Sequence, residues 1–69
     1  MTRIRIIDTA RPSRRLEPES SADVMPTDVP KLMQILQGRR AVRPDWRGRR
    51  LAIEAYDRRR GWLRYEQPL

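Results

Sequence analysis

The chain has no histidine and no cysteine, and its 69 residues include a single lysine. Without histidine it lacks the usual general base at neutral pH, and without cysteine it lacks thiolate metal ligands and disulfides. Its three glycines are scattered, so they cannot form a phosphate-binding glycine-rich loop. No apolar run approaches the ~18–20 residues of a membrane span, and the N-terminus lacks the apolar stretch of a signal peptide. These absences predict a non-enzymatic, cytoplasmic protein with no metal or other cofactor, no small-molecule substrate and no membrane partner.

Arginine is the residue that the chain has in excess. Fifteen arginines, one lysine and nine carboxylates give a net charge of +7. The charge is uneven, with +4 over residues 1–15, −4 over residues 16–29 and +7 over residues 30–69. A strongly basic chain is attracted to nucleic acid or to acidic protein surfaces. A GC-rich genome also favours arginine over lysine, so the bias alone does not identify the partner.

The N-terminal segment has the pattern of a β-strand. Arg3 and Arg5 alternate with Ile4 and Ile6, which is the period of a half-buried strand. The remainder of the chain indicates linker and helix, so this strand is expected to pair in a dimer or to add to a partner's sheet. The alternative is a flexible basic arm. Because three prolines follow, residues 1–26 are predicted to be a basic arm and an acidic Pro-rich linker, extended or disordered.

Residues 27–69 are predicted to form a helical hairpin with an aromatic C-terminal tail. Thr27 or Asp28 is a suitable N-cap for a first helix that would end at Gly38. A proline three positions after Thr27 suits the first turn of that helix. The apolar residues follow the i, i+3, i+4, i+7 spacing of one helix face: Val29, Leu32, Met33 and Leu36.

A second helix is expected from about Pro44 to Arg60, where Gly61 can end it. Two amphipathic helices joined by a short turn form an antiparallel hairpin. The predicted fold class is therefore mainly α, a two-helix antiparallel hairpin with an extended N-terminal arm that adds one β-strand in a dimer or complex. The side of the second helix that would face the first holds apolar or small residues: Leu51, Ala52, Ala55 and Tyr56.

Three groups of residues are candidate binding sites. Arg3 and Arg5 are candidates for contacts with nucleic acid or with another strand. Four arginines of the inter-helix turn could bind phosphates or acidic side chains: Arg39, Arg40, Arg43 and Arg47. The alternative for these four is a solvated turn that complements the C-terminal dipole of the first helix. The candidates for a partner or dimer interface are apolar or aromatic: Leu32, Met33, Leu36, Trp46, Ile53, Tyr56, Trp62 and Tyr65.

A basic strand followed by two helices resembles the order of elements in the ribbon-helix-helix DNA-binding fold. The resemblance implies that Arg3 and Arg5 would contact bases from the paired strands of a dimer. It covers the order of elements alone, since a Pro-rich stretch of about 17 residues separates the strand from the first helix here.

The sequence therefore predicts a small regulatory or assembly protein, without enzymatic activity, that binds a protein partner through the helical hairpin as a homodimer. A dimer or a tightly held partner is expected because so short a chain seldom stabilises its own core without disulfides or a metal. The alternative is a basic nucleic-acid-binding protein that uses the arginine-rich turn and the N-terminal arm. Such compactness would also suit a phage accessory protein.

Overall fold

A single antiparallel sheet with one helix on one of its faces is the framework of the protein. The computed structural model describes residues 1–67, the side chains of residues 12–14 excepted. The strands and helices in chain order are β1 (Thr2–Asp8), β2 (Arg11–Arg15), β3 (Ser20–Ala22), α1 (Val29–Ala41), a short 3-10 helix (Pro44–Trp46), β4 (Leu51–Asp57) and β5 (Gly61–Glu66). The strand order is β2-β1-β4-β5, and β3 also pairs with β1. The prediction of a mainly α, two-helix hairpin is therefore wrong.

β1 lies in the middle of the sheet because it has partners on both sides. β4 runs antiparallel along one side, with Ile6 opposite Ile53. On the other side β3 pairs with the start of β1 and β2 pairs with its end. The strand expected in the N-terminal segment is thus present. The expectation that it must pair with another chain is wrong, because its partner is residues 51–57 of the same chain.

The first predicted helix is present, whereas the residues expected in the second form other structure. The side chain of Asp28 caps α1, since its carboxylate accepts a hydrogen bond from the Lys31 amide at 3.3 Å. α1 ends at Ala41 rather than at Gly38. The short 3-10 helix and β4 take the place of the second helix, so the resemblance to the ribbon-helix-helix order also fails. Within residues 1–67, no helix has the length and apolar character needed to cross a membrane.

A glycine interrupts the segment that was expected to be the second helix, and another follows it. Gly48 has a φ of +75° and Gly61 a φ of +77°, a left-handed conformation that other residues rarely adopt. Gly48 follows the 3-10 helix and precedes β4, and Gly61 is the first residue of β5. The positive φ of Gly48 is incompatible with a continuous helix, so residues 51–57 can form a strand, and Gly61 allows the tight turn that follows it.

The core lies between α1 and one face of the sheet. Leu32 and Leu36 of α1 are fully buried in one cluster with Ile6 and Ile53 of the sheet. Trp46 of the 3-10 helix joins this cluster. The apolar side that the helical-hairpin prediction assigned to a partner is therefore the inside of the monomer. Six of the eight predicted interface residues belong to this cluster or pack against it: Leu32, Met33, Leu36, Trp46, Ile53 and Tyr65.

Candidate functional site

The face of the sheet opposite α1 carries charged and aromatic side chains. Side chains alternate between the two faces along each strand, so the residues between the core positions lie on the side away from α1. We call this side the open face. In register across the strands, its charged and aromatic residues are Arg3, Arg5, Arg15, Glu54, Tyr56, Trp62, Arg64 and Glu66, and the buried Ile7 and Ala52 lie among them.

A buried carboxylate at the centre of the open face holds two arginines. Glu54 is only 5% exposed, and its two oxygens bond to different strands. Oε1 accepts a hydrogen bond from Arg5 Nε at 2.6 Å, and Oε2 accepts one from Arg64 Nε at 3.1 Å. A buried carboxylate needs such partners to compensate for lost hydration. Glu54 therefore fixes the positions of both guanidinium groups.

An aromatic pair lies next to this cluster. The rings of Tyr56 and Trp62 are 5.5 Å apart and meet edge to face at 65°. The Arg5 guanidinium lies over the Trp62 ring, 3.9 Å from its centroid. The Arg3 guanidinium is 5.1 Å from the Tyr56 ring and 5.3 Å from the Trp62 ring. Tyr56 is 37% exposed and Trp62 half-buried, so the pair forms part of the accessible surface.

Arg3 is held in place by a carboxylate from the chain between β2 and β3. Its Nε and Nη2 donate to the two carboxylate oxygens of Glu19 at 2.9 and 3.1 Å. This two-point hydrogen bond raises the pKa of Arg3 and lowers the pKa of Glu19. Arg3 therefore stays charged, and its guanidinium remains beside both aromatic rings.

The turn between β4 and β5 extends the basic surface past Tyr56. Asp57 Oδ1 accepts hydrogen bonds from the backbone amides of Arg59 and Arg60 at 2.8 and 3.2 Å, which lowers the pKa of Asp57. A shallow cavity of about 540 Å³ lies beside this turn, and its lining includes Arg3, Tyr56 and Arg59. Tyr56 and two arginines of the turn, Arg58 and Arg59, thus border the same space.

Arginine outnumbers carboxylate across the open face and the adjoining turn. An excess of three positive charges makes this side attractive to an anion in spite of its acidic residues. The seven arginines are Arg3, Arg5, Arg15, Arg58, Arg59, Arg60 and Arg64, and the four carboxylates are Glu19, Glu54, Asp57 and Glu66.

Two arginines of the predicted inter-helix turn instead brace the end of α1 against the chain before β3. Arg39 forms an ion pair with Glu17, and its Nη2 donates to Ser20 Oγ at 3.0 Å. Arg43 lies 3.6 Å from the same Glu17 carboxylate, and its guanidinium is 5.1 Å from the centroid of the Trp46 ring. These contacts are internal to the chain and leave both side chains less free to bind a partner.

The other two arginines of that turn, Arg40 and Arg47, differ in their contacts within the chain. Arg40 donates to the carbonyl oxygen of Trp46 at 3.2 Å, to that of Arg49, and to the side chain of Gln67. It therefore ties together the chain segments on either side of the 3-10 helix. Arg47 is exposed and has no ion-pair partner within residues 1–67. The four arginines do not form one accessible cluster.

The structure joins residues that the sequence placed in separate candidate sites. Arg3 and Arg5 meet Tyr56 and Trp62 on the open face. Sequence reasoning missed Glu54 and Arg64, which lie in the expected second helix and in the expected tail and were not candidate site residues. The alternation of apolar and polar residues over residues 63–66 could have found Arg64, whereas no such alternation surrounds Glu54.

The open face presents cations and aromatic rings in place of an acid–base pair. In the part of the chain that the structure describes, no group of three or more acidic side chains is placed to hold a metal ion. No protein-family model matches the sequence, and comparisons with curated proteins and with solved structures find no match. The geometry of the open face is thus the basis for inferring a function.

Proposed function

We propose that the protein binds single-stranded nucleic acid on the open face of its sheet. The supporting observation is the accessible pair of Tyr56 and Trp62, with guanidinium groups between 3.9 and 5.3 Å from the ring centroids. Proteins that bind single strands combine aromatic rings, on which bases stack, with a basic surface that follows the backbone. The face of a β-sheet is one of the frameworks that present such rings.

The two kinds of side chain have separate roles in this proposal. Bases stack on Tyr56, on Trp62 and on the outer surface of the Arg5 guanidinium, since guanidinium planes also accept stacked bases. Arg5 is already held by Glu54 at 2.6 Å, so little side-chain entropy is lost when a base contacts it. Phosphates contact Arg64 and the arginines of the turn between β4 and β5.

The same geometry favours single strands over duplex. In a duplex the flat surfaces of the bases are stacked on one another, so rings on a sheet reach them only after unstacking, which costs a few kcal/mol. α1 lies on the opposite face and presents no helix for the major groove on this side. We therefore expect duplex to bind only through its phosphates, weakly and with strong salt dependence.

The protein-binding role predicted from the sequence depended on the apolar side of a helical hairpin. Four of those apolar residues form part of the monomer core instead, so they offer no surface to a protein partner: Leu32, Leu36, Trp46 and Ile53. An acidic protein partner would still meet the arginines of the open face, and it is the second candidate that the experiment below separates. A regulatory role at nucleic acid, in the cytoplasm, is part of the proposal.

The test measures binding of fluorescently labelled oligonucleotides of about 12 nucleotides, as single strand and as duplex, at low and near-physiological salt. We expect the single strand to bind more tightly than the duplex. Because Trp46 is 2% exposed and Trp62 is half-buried, quenching of tryptophan emission should come from Trp62. A Trp62→Phe variant should lose the quenching and retain binding.

Variants of the aromatic pair test the stacking role. Tyr56→Leu and Trp62→Leu should each weaken binding about tenfold or more, because a stacked base contributes ~1–3 kcal/mol. Arg47→Ala is the matched control, since it removes one exposed positive charge away from the open face. Unchanged binding in both aromatic variants, together with a loss in Arg47→Ala, would show that the protein responds to net charge alone. Absence of single-strand binding at low salt would reject nucleic acid and leave the acidic protein partner.

A further inference from the structure

The outer edge of β5 carries backbone groups without partners in the sheet. The Gln67 amide donates to the Leu51 carbonyl at 3.1 Å, which places this pair among the directly hydrogen-bonded pairs of β4 and β5. Hydrogen-bonded and non-hydrogen-bonded pairs alternate along antiparallel strands. Trp62, Arg64 and Glu66 consequently direct their N–H and C=O groups away from β4. Within residues 1–67, no hydrogen bond from another segment reaches these groups.

This edge has few of the features that normally prevent strand pairing. β5 contains no proline, and its register with β4 is regular over six residue pairs. Leu63 and Tyr65 are only half-buried there, so they leave apolar surface at the edge. At the opposite edge, in contrast, two short strands share one partner and the ladder has an irregularity at Ile7 and Asp8. A regular edge strand without such features is a template for another strand.

The charges on β5 make the edge complementary to itself. Arg64 and Glu66 lie two residues apart on the open face, and they have opposite signs. We propose that two copies of the chain pair antiparallel through β5, with Arg64 of each copy opposite Glu66 of the other. The two-fold axis then passes beside Tyr65, and the outward backbone groups of residues 64 and 66 bond across the interface. Two ion pairs form on the open face, and Arg64 keeps its Nε bond to Glu54.

Competing registers are less favourable. A shift of two residues in one direction places Arg64 opposite Arg64 of the second copy, and like charges directly opposite each other destabilise a strand pair. A shift of one residue turns the apolar side of one copy towards the charged side of the other. The selected register joins both sheets into one and places two open faces side by side. A single strand long enough to reach both would gain avidity without new contacts.

Cysteine cross-linking tests this register, because the chain has no cysteine of its own. In the proposed dimer, residue 63 lies opposite residue 67 of the second copy as a non-hydrogen-bonded pair. Such pairs have Cα atoms ~4.5 Å apart, within the range of a disulfide. Residue 63 of one copy and residue 63 of the other lie four positions apart along the strands. This separation is about 13 Å, which is too long for a disulfide.

We therefore expect Leu63→Cys and Gln67→Cys to cross-link when the two purified variants are mixed and oxidised, and not when either is oxidised alone. The product should be a heterodimer by intact mass. Absence of a cross-link in the mixture would overturn the proposal. Cross-linking of Leu63→Cys with itself, as efficient as in the mixture, would overturn this register.

Light scattering measures the oligomeric state without any cross-link and so tests the proposed dimer independently. The wild type should be dimeric at micromolar concentrations, and Glu66→Arg should be monomeric because it places arginines opposite each other. Asp45→Arg is the matched control, since it changes an exposed carboxylate to arginine away from β5 and should stay dimeric. Circular dichroism checks that both variants are folded. A monomeric wild type, or dimeric Glu66→Arg, would contradict the proposed interface and leave the proposed nucleic-acid binding untouched.

Discussion

Glu54→Gln is the substitution that most directly tests the construction of the open face. Glutamine keeps the size of the side chain and removes its charge, so the change creates no cavity. The Arg5 and Arg64 guanidinium groups then share a neutral amide, whose single carbonyl oxygen is its only acceptor. The two guanidinium groups also lose the negative charge that lies between them and offsets their mutual repulsion. We expect the variant to fold and to be less stable than the wild type.

The magnitude follows from how deeply each ion pair is buried. The side chains of Arg5 and Glu54 are 23% and 6% exposed, and hydrogen bonds to charged groups in such places contribute ~1.5–3 kcal/mol. The Arg64 side chain is 42% exposed, so its bond to Glu54 contributes ~0.2–1 kcal/mol. Relief of the desolvation of Glu54 offsets part of this loss. A net decrease of about 2 kcal/mol in the free energy of unfolding corresponds to about 8–16 °C in Tm for a domain of this size.

The assay is urea unfolding followed by circular dichroism, which does not depend on the tryptophans near the site. Asp23→Asn is the control, because it neutralises an exposed carboxylate outside β5 and should change stability by less than about 0.5 kcal/mol. A double-mutant cycle between Glu54→Gln and Arg5→Met should give a coupling of about 1–3 kcal/mol. If Glu54→Gln is as stable as the wild type, relief of the desolvation of Glu54 offsets the whole loss of the ion pairs, and the reasoning is refuted.

Two further predictions concern turns and pH. Gly61→Ala should lower the free energy of unfolding by about 1–2 kcal/mol because alanine is strained at a φ of +77°. An added Cβ would meet no atom within 4 Å, so the backbone conformation is the cause of this loss. Gly38→Ala, in α1 and equally open, should stabilise the protein by about 0.5–1 kcal/mol, and unfolding curves that move in the same direction would contradict this account. The pKa of Asp57 lies below its ordinary value of 3.8, so the unfolded chain binds the proton first as the pH falls. The stability that Asp57 contributes is therefore complete above pH 3.8 and is lost as the pH falls below that value. The Asp57→Asn variant should lack this pH dependence. An NMR titration that places the pKa of Asp57 at or above 3.8 would contradict the prediction.

Part of the site could be predicted from short-range pattern. The alternation of Arg3 and Arg5 with isoleucines indicated a strand with one basic side, and that side is on the open face. Tyr56 and Trp62 were recognised as candidate contact residues. Their meeting with the arginines could not be predicted, because it requires β1 to pair with a strand about 50 residues further along the chain. Glu54 was missed for the same reason, since its partners lie on two other strands.

By itself the sequence determined the features that depend on residue type or on a few neighbouring residues. The lack of histidine and cysteine limits the chemistry that its side chains can provide, and the N-cap Asp28 determines where α1 begins. Only the tertiary structure decided the conformation of residues 51–57. Leu51 to Ala55 are all buried, with the helix on one side and the long arginine side chains on the other, so burial shows no alternation there. Alanine, leucine and glutamate favour a helix locally, and pairing on both sides with β1 and β5 outweighs that preference because it satisfies the backbone and buries both faces.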